Sequence, residues 1–146
     1  MENPDEIRNI AHDFDGAIEG QQIEKIISRF TDDCIIEFPG GAVRGKEGAR
    51  RWIEWMFSHF ARIRFEPVTI MVDGNTFFEE YVFQGTFHNG STVRSRQAEV
   101  LEFEGGRIRA MRIFFDRMDF ADALEDGMLT RFIVRKLFER FTPEFD

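Results

Sequence analysis

The stretch FHNGSTVRSRQAEVLEFEGGRIRAMRIFFD, residues 87–116, holds two glycine-containing turn signals, Asn89-Gly90 and Gly105-Gly106. Between them the residues alternate in type with a period of two, the pattern of a β-strand with distinct faces. A third signal, Asp73-Gly74, lies upstream. Asn-Gly, Asp-Gly and Gly-Gly favour the backbone of tight hairpins. Together they divide residues 62–116 into four strands, roughly 62–72, 76–88, 91–104 and 107–116, in an antiparallel meander. Strands this long twist and curl, so the sheet is expected to be concave on one side.

Charge assigns the faces. Thr92, Arg94, Arg96 and Ala98 share one parity, while Ser95, Gln97, Glu99, Leu101 and Phe103 share the other. Two arginines mark the first set as outward, which turns Gln97 and Glu99 inward. A two-residue turn at Asn89-Gly90 then pairs Val82 with Gln97 and Glu80 with Glu99. Facing carboxylates repel, and in a desolvated setting one keeps its proton, as a general acid must. The same register puts Phe77, Tyr81, Phe83 and Phe87 on the outer face. An aromatic strip there predicts a homodimer through the convex side of the sheet.

Upstream of the sheet the period is helical. Ile7, Ile10, Ala11, Phe14 and Ile18 form one apolar stripe, with Asp13, Asp15 and Glu19 read as solvated acids off it. Ile23, Ile26, Ile27 and Phe30 make a second stripe, and Ala49, Trp52, Ile53, Met56 and Phe60 a third. Between them, DDCIIEFPGG (residues 32–41) reads as a strand stopped by Pro39-Gly40-Gly41. A further helical segment, about 119–141, carries Leu129, Phe132, Ile133, Leu137 and Phe141. Helices first and a long antiparallel sheet afterwards give an α+β class in one domain, 1–146.

Composition narrows the function. The chain has 146 residues, 27 acids against 19 bases and a formal net charge of -8. That balance argues against a phosphate-backbone partner, so nucleic acid is excluded. No apolar run is long enough to span a membrane, and the acidic start lacks the apolar core of a signal peptide. Cys34 is the sole cysteine, which leaves no Cys-cluster metal site, and the three histidines have no ligand spacing. The expectation is a cytoplasmic protein without metal or cofactor. Eighteen phenylalanines exceed what a core of this size needs and suggest an aromatic-lined concavity.

The order helix, helix, FTDDCIIEFPGG (30–41), helix, meander, closing with EFEGGRIRAMRIFFD (102–116), resembles the nuclear-transport-factor-2-like cone, of the cystatin-like type. Within it the chain is most similar to SnoaL-like proteins, relatives of a polyketide cyclase, over about residues 5–120, with the last helix an extension. The resemblance implies helices packed on the concave face of a curled sheet, a deep pocket for an apolar small molecule, and convex-face dimers. The aspartate base of the ketosteroid isomerases in this fold falls on Phe38, their oxyanion tyrosine on Phe14, and their protonated aspartate on Glu99. Only the acid at 99 remains, so Phe38 faces the pocket and isomerase chemistry is not expected. The Asp–Arg–Asp set of the limonene epoxide hydrolases falls on Val82, Glu80 and Ile113, and none of it is kept.

What stays is a carboxylate pair, Glu80 and Glu99, as candidate catalytic residues. Gln84 and Gln97 are candidates to orient substrate oxygens, and Phe14, Phe38, Trp52, Val82, Met111, Ile113 and Phe115 are the candidate wall. These residues suit a cyclase, dehydratase or hydratase, or a non-catalytic binding module of the same fold. A plain hairpin at Gly105-Gly106 sets Glu99 across from Arg112, whereas a bulge sets it across from Met111 or Ile113; the resemblance favours the bulge. Asp116 is read as capping the helix that follows.

Overall fold

The computed structural model describes residues 3–124 together with Phe132, Ile133, Lys136, Glu139 and Arg140. Helix α1 (Pro4–Glu19) opens on Asn3, whose Oδ1 accepts from the Asp5 amide, with Pro4 in the first turn where no amide hydrogen is needed. A short α2 (Ile23–Ser28) follows, then the hairpin of β1 (Phe30–Phe38) and β2 (Gly41–Arg44), and α3 (Gly45–His59). The meander is β3 (Phe60–Asp73), β4 (Thr76–Phe87), β5 (Thr92–Glu104) and β6 (Arg107–Phe114), and α4 (Met118–Leu124) comes after it. Asp116 Oδ1 accepts from the Met118 amide at 2.9 Å, tying the entry of α4. In the rest of the segment expected to be helical to about 141, Phe132, Ile133, Lys136, Glu139 and Arg140 are helical and the other positions lie outside the described residues.

The strands form one six-stranded sheet in the order β2-β1-β6-β5-β4-β3. The sheet is mixed rather than wholly antiparallel, because β1 runs parallel to β6. The meander leaves the β6 edge unpaired, and β1 fills it from the other end of the chain. Helix α1 lies over β3 and β4, and α3 over β1, β2 and β3. Between helices and sheet sits the core, centred on Phe14, Phe30, Ile53, Phe77 and Leu101.

One register differs from the sequence reading, and it changes what faces inward. The β4–β5 loop has three residues, His88, Asn89 and Gly90, not two. The Phe87 amide donates to the Ser91 carbonyl at 2.8 Å, and the Gly90 amide to the Phe87 carbonyl at 3.0 Å. Gly90 takes φ +89°, and Asn89 Oδ1 accepts from both the Ser91 amide and its hydroxyl. This is the three-residue hairpin with glycine in the left-handed position. The one-residue shift pairs Glu79 with Glu99 and Tyr81 with Gln97. Because side chains alternate, it also exchanges the two faces of β4. Phe77, Tyr81, Phe83 and Phe87, expected outside, are buried on the concave side. Phe78, Glu80, Val82 and Gln84 take the convex side instead. The aromatic strip that suggested a dimer is therefore core.

The Gly105-Gly106 hairpin is a two-residue turn, with both glycines at positive φ, followed by an irregularity between Glu102 and Phe103. That bulge sets Ile113, not Arg112, opposite Glu99.

Candidate functional site

A cavity of about 500 Å³ opens between α3, the concave face and α4. Its walls are aromatic. Phe60 stacks on Phe87 at 4.8 Å between centroids and meets Phe83 edge-on at 5.2 Å, while Phe120 meets Phe83 at 5.9 Å and Phe115 at 5.4 Å. Gly85 makes room for these rings: a Cβ there would lie 2.6 Å from the Phe60 ring and 2.8 Å from the Phe83 ring.

Four of the residues expected at the wall line this cavity, Phe38, Trp52, Ile113 and Phe115, and so does Gln97, expected to orient a substrate oxygen. Glu37, beside Phe38, is exposed. Phe14 and Met111 lie in the core instead, Phe14 edge-on to Phe30 at 5.5 Å and Met111 beside Leu101 in the β5–β6 ladder. Glu80, Val82 and Gln84 are turned away from the cavity, for the reason of register given above. Glu80 accepts from Thr69 Oγ1 and faces Arg96 at 3.7 Å, and Gln84 Nε2 donates to Glu66.

The carboxylate facing Glu99 is Glu79, and a third acid joins them. Oxygens of Asp15, Glu79 and Glu99 lie within 4.8 Å of one another. Asp15 was expected in solvent, but it sits four residues after Ala11 and three before Ile18, both buried, so it shares their side of the helix. Burial, with Glu99, Glu79 and Glu19 adding repulsion, pushes the Asp15 carboxyl up to about 9. Burial and then the Glu79 charge push Glu99 up to about 8, and burial alone pushes Glu79 up to about 7. One Glu79 oxygen, Oε1, is buried without a hydrogen-bond partner. These three are also, among the described residues, the one acidic set close enough to share a cation.

Beside this cluster a hydrogen-bonded chain runs from Tyr81 through the cavity residue Gln97 to α4. Tyr81, its hydroxyl pushed well up by burial and the neighbouring acids, donates to Gln97 Oε1 at 3.0 Å. Gln97 Nε2 donates to Ser95 Oγ at 3.3 Å, and Ser95 Oγ to Asp119 Oδ2 at 2.7 Å, which links the sheet to α4. At the rim, His59 is held by its Nδ1 at 2.8 Å from the Trp55 carbonyl. A carbonyl only accepts, and the Ser58 hydroxyl already donates to it, so Nδ1 carries the hydrogen there and Nε2 has the lone pair when the ring is neutral.

The pattern of a SnoaL-like domain matches residues 11–111. The chain belongs to the SnoaL-like family. Among solved structures, a SnoaL-like protein from Shewanella putrefaciens is 13% identical, with 84% of this chain and 98% of that one covered at a TM-score of 0.74. An NTF2-like protein of unknown function from Burkholderia pseudomallei is 17% identical, covering 80% and 95%, at 0.73. TerC, co-crystallized with polyporic acid, is 17% identical, covering 80% and 96%, at 0.72. At these identities the likeness is one of fold. No curated protein matches the sequence significantly.

In this SnoaL-like domain the sequence reading missed Glu79, Asp15, His59, Phe60, Phe83, Phe87, Arg117 and Phe120. Glu79 and the β4 phenylalanines hang on the length of one turn. Asp15 was legible from its helical spacing. His59 comes from the end of α3 and Arg117 and Phe120 from the entry to α4, and no local pattern marks their meeting. No helix among the described residues is long and apolar enough to cross a membrane.

Proposed function

We propose that this SnoaL-like domain is a cofactor-independent acid–base enzyme of the cytoplasm. It binds an apolar, oxygen-bearing small molecule and catalyses its cyclisation, dehydration or hydration. The observation that carries the reading is the facing pair Glu79 and Glu99, buried on the concave face that also walls the aromatic cavity, with the half-buried Asp15 of α1 beside them. Groups whose environments separate their proton affinities divide acid and base roles. Glu79, pushed up to about 7, ionises first and serves as base, while Glu99 and Asp15, at about 8 and about 9, stay protonated as donors to a substrate oxygen. Glu99 follows Gln97 by two residues on the same strand face, a step of roughly 7 Å beyond the cavity wall. A substrate oxygen therefore has to reach past Gln97.

A second reading rests on that same step. Gln97, not a carboxyl group, lines the cavity, as suits a non-catalytic domain that binds an apolar ligand. The two separate as follows. A thermal-shift screen with polycyclic enones, epoxides, hydroxylated aromatics and fatty acids finds binders, and mass spectrometry follows each with wild-type protein and Glu99→Gln. The enzyme reading expects conversion of at least one binder, slowed about a hundredfold or more in Glu99→Gln. Binding with no conversion of any compound leaves the binding module.

The same proposal includes a homodimer through the convex face, now on different residues. Phe78 and Val100 are ladder partners there, flanked by the exposed Met71 and Phe114. Sedimentation at micromolar concentration should show a species of twice 17.2 kDa, and a monomer throughout would remove the dimer.

A further inference from the structure

Apart from the two indoles, three polar side chains line the cavity: Gln97, Arg117 and the rim residue His59, whose Nδ1 is held by the Trp55 carbonyl. Gln97 is at the inner end, buried, its carbonyl oxygen taken by Tyr81 and one amide hydrogen given to Ser95. A side-chain amide has two hydrogens, so one is left for a ligand. Arg117 is at the outer end, exposed, just before α4. Its guanidinium lies across the turn between β1 and β2: a Cβ on Gly40 would meet Nη1 at 2.8 Å and Cζ at 3.6 Å. Gly40 has φ +95°, so both the backbone and the arginine call for glycine at that place.

Arg117 has no carboxylate partner among the described residues. The acids nearest in sequence are engaged elsewhere, Asp116 with the Met118 amide and Asp119 with Ser95. Other described arginines, such as Arg44 and Arg62, also face no described carboxylate within 4.0 Å, but among the described arginines Arg117 alone lines the cavity. A fixed positive charge without an internal counter-ion, at the mouth of an aromatic cavity, is complementary to an anion whose body is apolar. The inner end excludes that anion, because three acids lie behind Gln97 and any that ionises repels it.

We propose that the ligand of this cavity is a ring-bearing carboxylate, bound with its anionic group on Arg117 at the mouth, its apolar body among the aromatic walls, and a hydrogen-bond-accepting oxygen on Gln97 at the inner end. This rests on the reading of the cavity as a small-molecule site and names its substrate class. The orientation delivers the oxygen, not the carboxylate, to the side where the acids lie.

The test compares anthracene-2-carboxylate with anthracene-2-carboxamide, which share shape and differ in charge. Quenching of Trp52 and Trp55 reports binding to wild-type protein, Arg117→Gln and Arg117→Lys. Wild type should bind the carboxylate about tenfold more tightly than the carboxamide, the difference expected of one charge-assisted contact. Arg117→Gln should bring the two compounds level, Arg117→Lys should keep part of the preference, and added salt should shrink it. Equal affinities in wild type, or a preference that persists in Arg117→Gln, overturn the assignment to Arg117 and leave the cavity reading standing. If neither compound binds a protein that melts normally, the cavity reading fails as well.

Discussion

Urea melts of the wild-type protein should show stability falling as pH rises from about 5 to about 9. The cause is the trio of Asp15, Glu79 and Glu99. In the unfolded chain these carboxyls have ordinary values of 3.8 and 4.5, whereas in the folded protein Asp15 is pushed up to about 9, Glu99 to about 8 and Glu79 to about 7. Below the unfolded values both states hold the protons, and the cluster has no pH-dependent effect. Above them the unfolded chain releases protons that the folded protein retains. Stability then falls by about 1.4 kcal/mol per pH unit for each proton retained, until the folded value is passed. Glu24, which the Arg50 side chain holds below its usual range, works in the opposite sense but only in acid. Glu99→Gln removes one retained proton and part of the repulsion on Asp15. The variant should match wild type within about 1 kcal/mol at pH 5 and exceed it by about 3 kcal/mol at pH 9. Equal loss of stability at both pH values would instead make Glu99 a structural hydrogen-bonding residue and would remove the acid–base mechanism.

Phe14→Ala should lower stability by about 3–5 kcal/mol, the range for deleting a fully buried aromatic ring that its surroundings cannot replace. Phe14 has no exposed surface and meets Phe30 edge-on, at the contact between α1 and the start of β1. For a chain of about this size the change lowers the melting temperature by roughly 10 °C. Phe38→Ala is the comparison, since Phe38 is only half-buried and borders the cavity. It should cost less stability and change ligand affinity more. A Phe14→Ala protein that keeps its melting temperature while losing ligand would return Phe14 to the pocket wall, where the ketosteroid-isomerase likeness had put it.

Much of this architecture could be read from the residues. Paired turn formers at 73–74, 89–90 and 105–106 delimited the meander, and Arg94 and Arg96 gave the faces of β5 correctly. The stripes of α1 and α3 named most of the helical core. The error was local. Asn89-Gly90 fits a two-residue loop, and it fits equally a three-residue loop in which His88 leaves the ladder and Gly90 alone takes the left-handed backbone. Sequence does not separate these, because both need glycine at 90. What separates them is packing: only the longer loop puts Phe77, Phe83 and Phe87 under the helices. The parallel pairing of β1 with β6 was hidden for a different reason. It joins residues some 75 positions apart, such as Ile36 and Met111, and no turn specifies it.

The three residues His88, Asn89 and Gly90 thus act as a reading frame for β4. The strand spells two messages, one on odd positions (Phe77, Glu79, Tyr81, Phe83) and one on even positions (Phe78, Glu80, Val82, Gln84). At the far end the Gly74-Asn75 turn holds Asp73 against Thr76 and fixes the frame from the other side. A surface loop usually absorbs length changes freely. Here a one-residue deletion at the tip would set the two turns in conflict and offer the interior the wrong message, replacing a wall of rings with a row in which Glu80 and Gln84 alternate with Phe78 and Val82. The tip is exposed and far from the acids, yet its length is as constrained as the core.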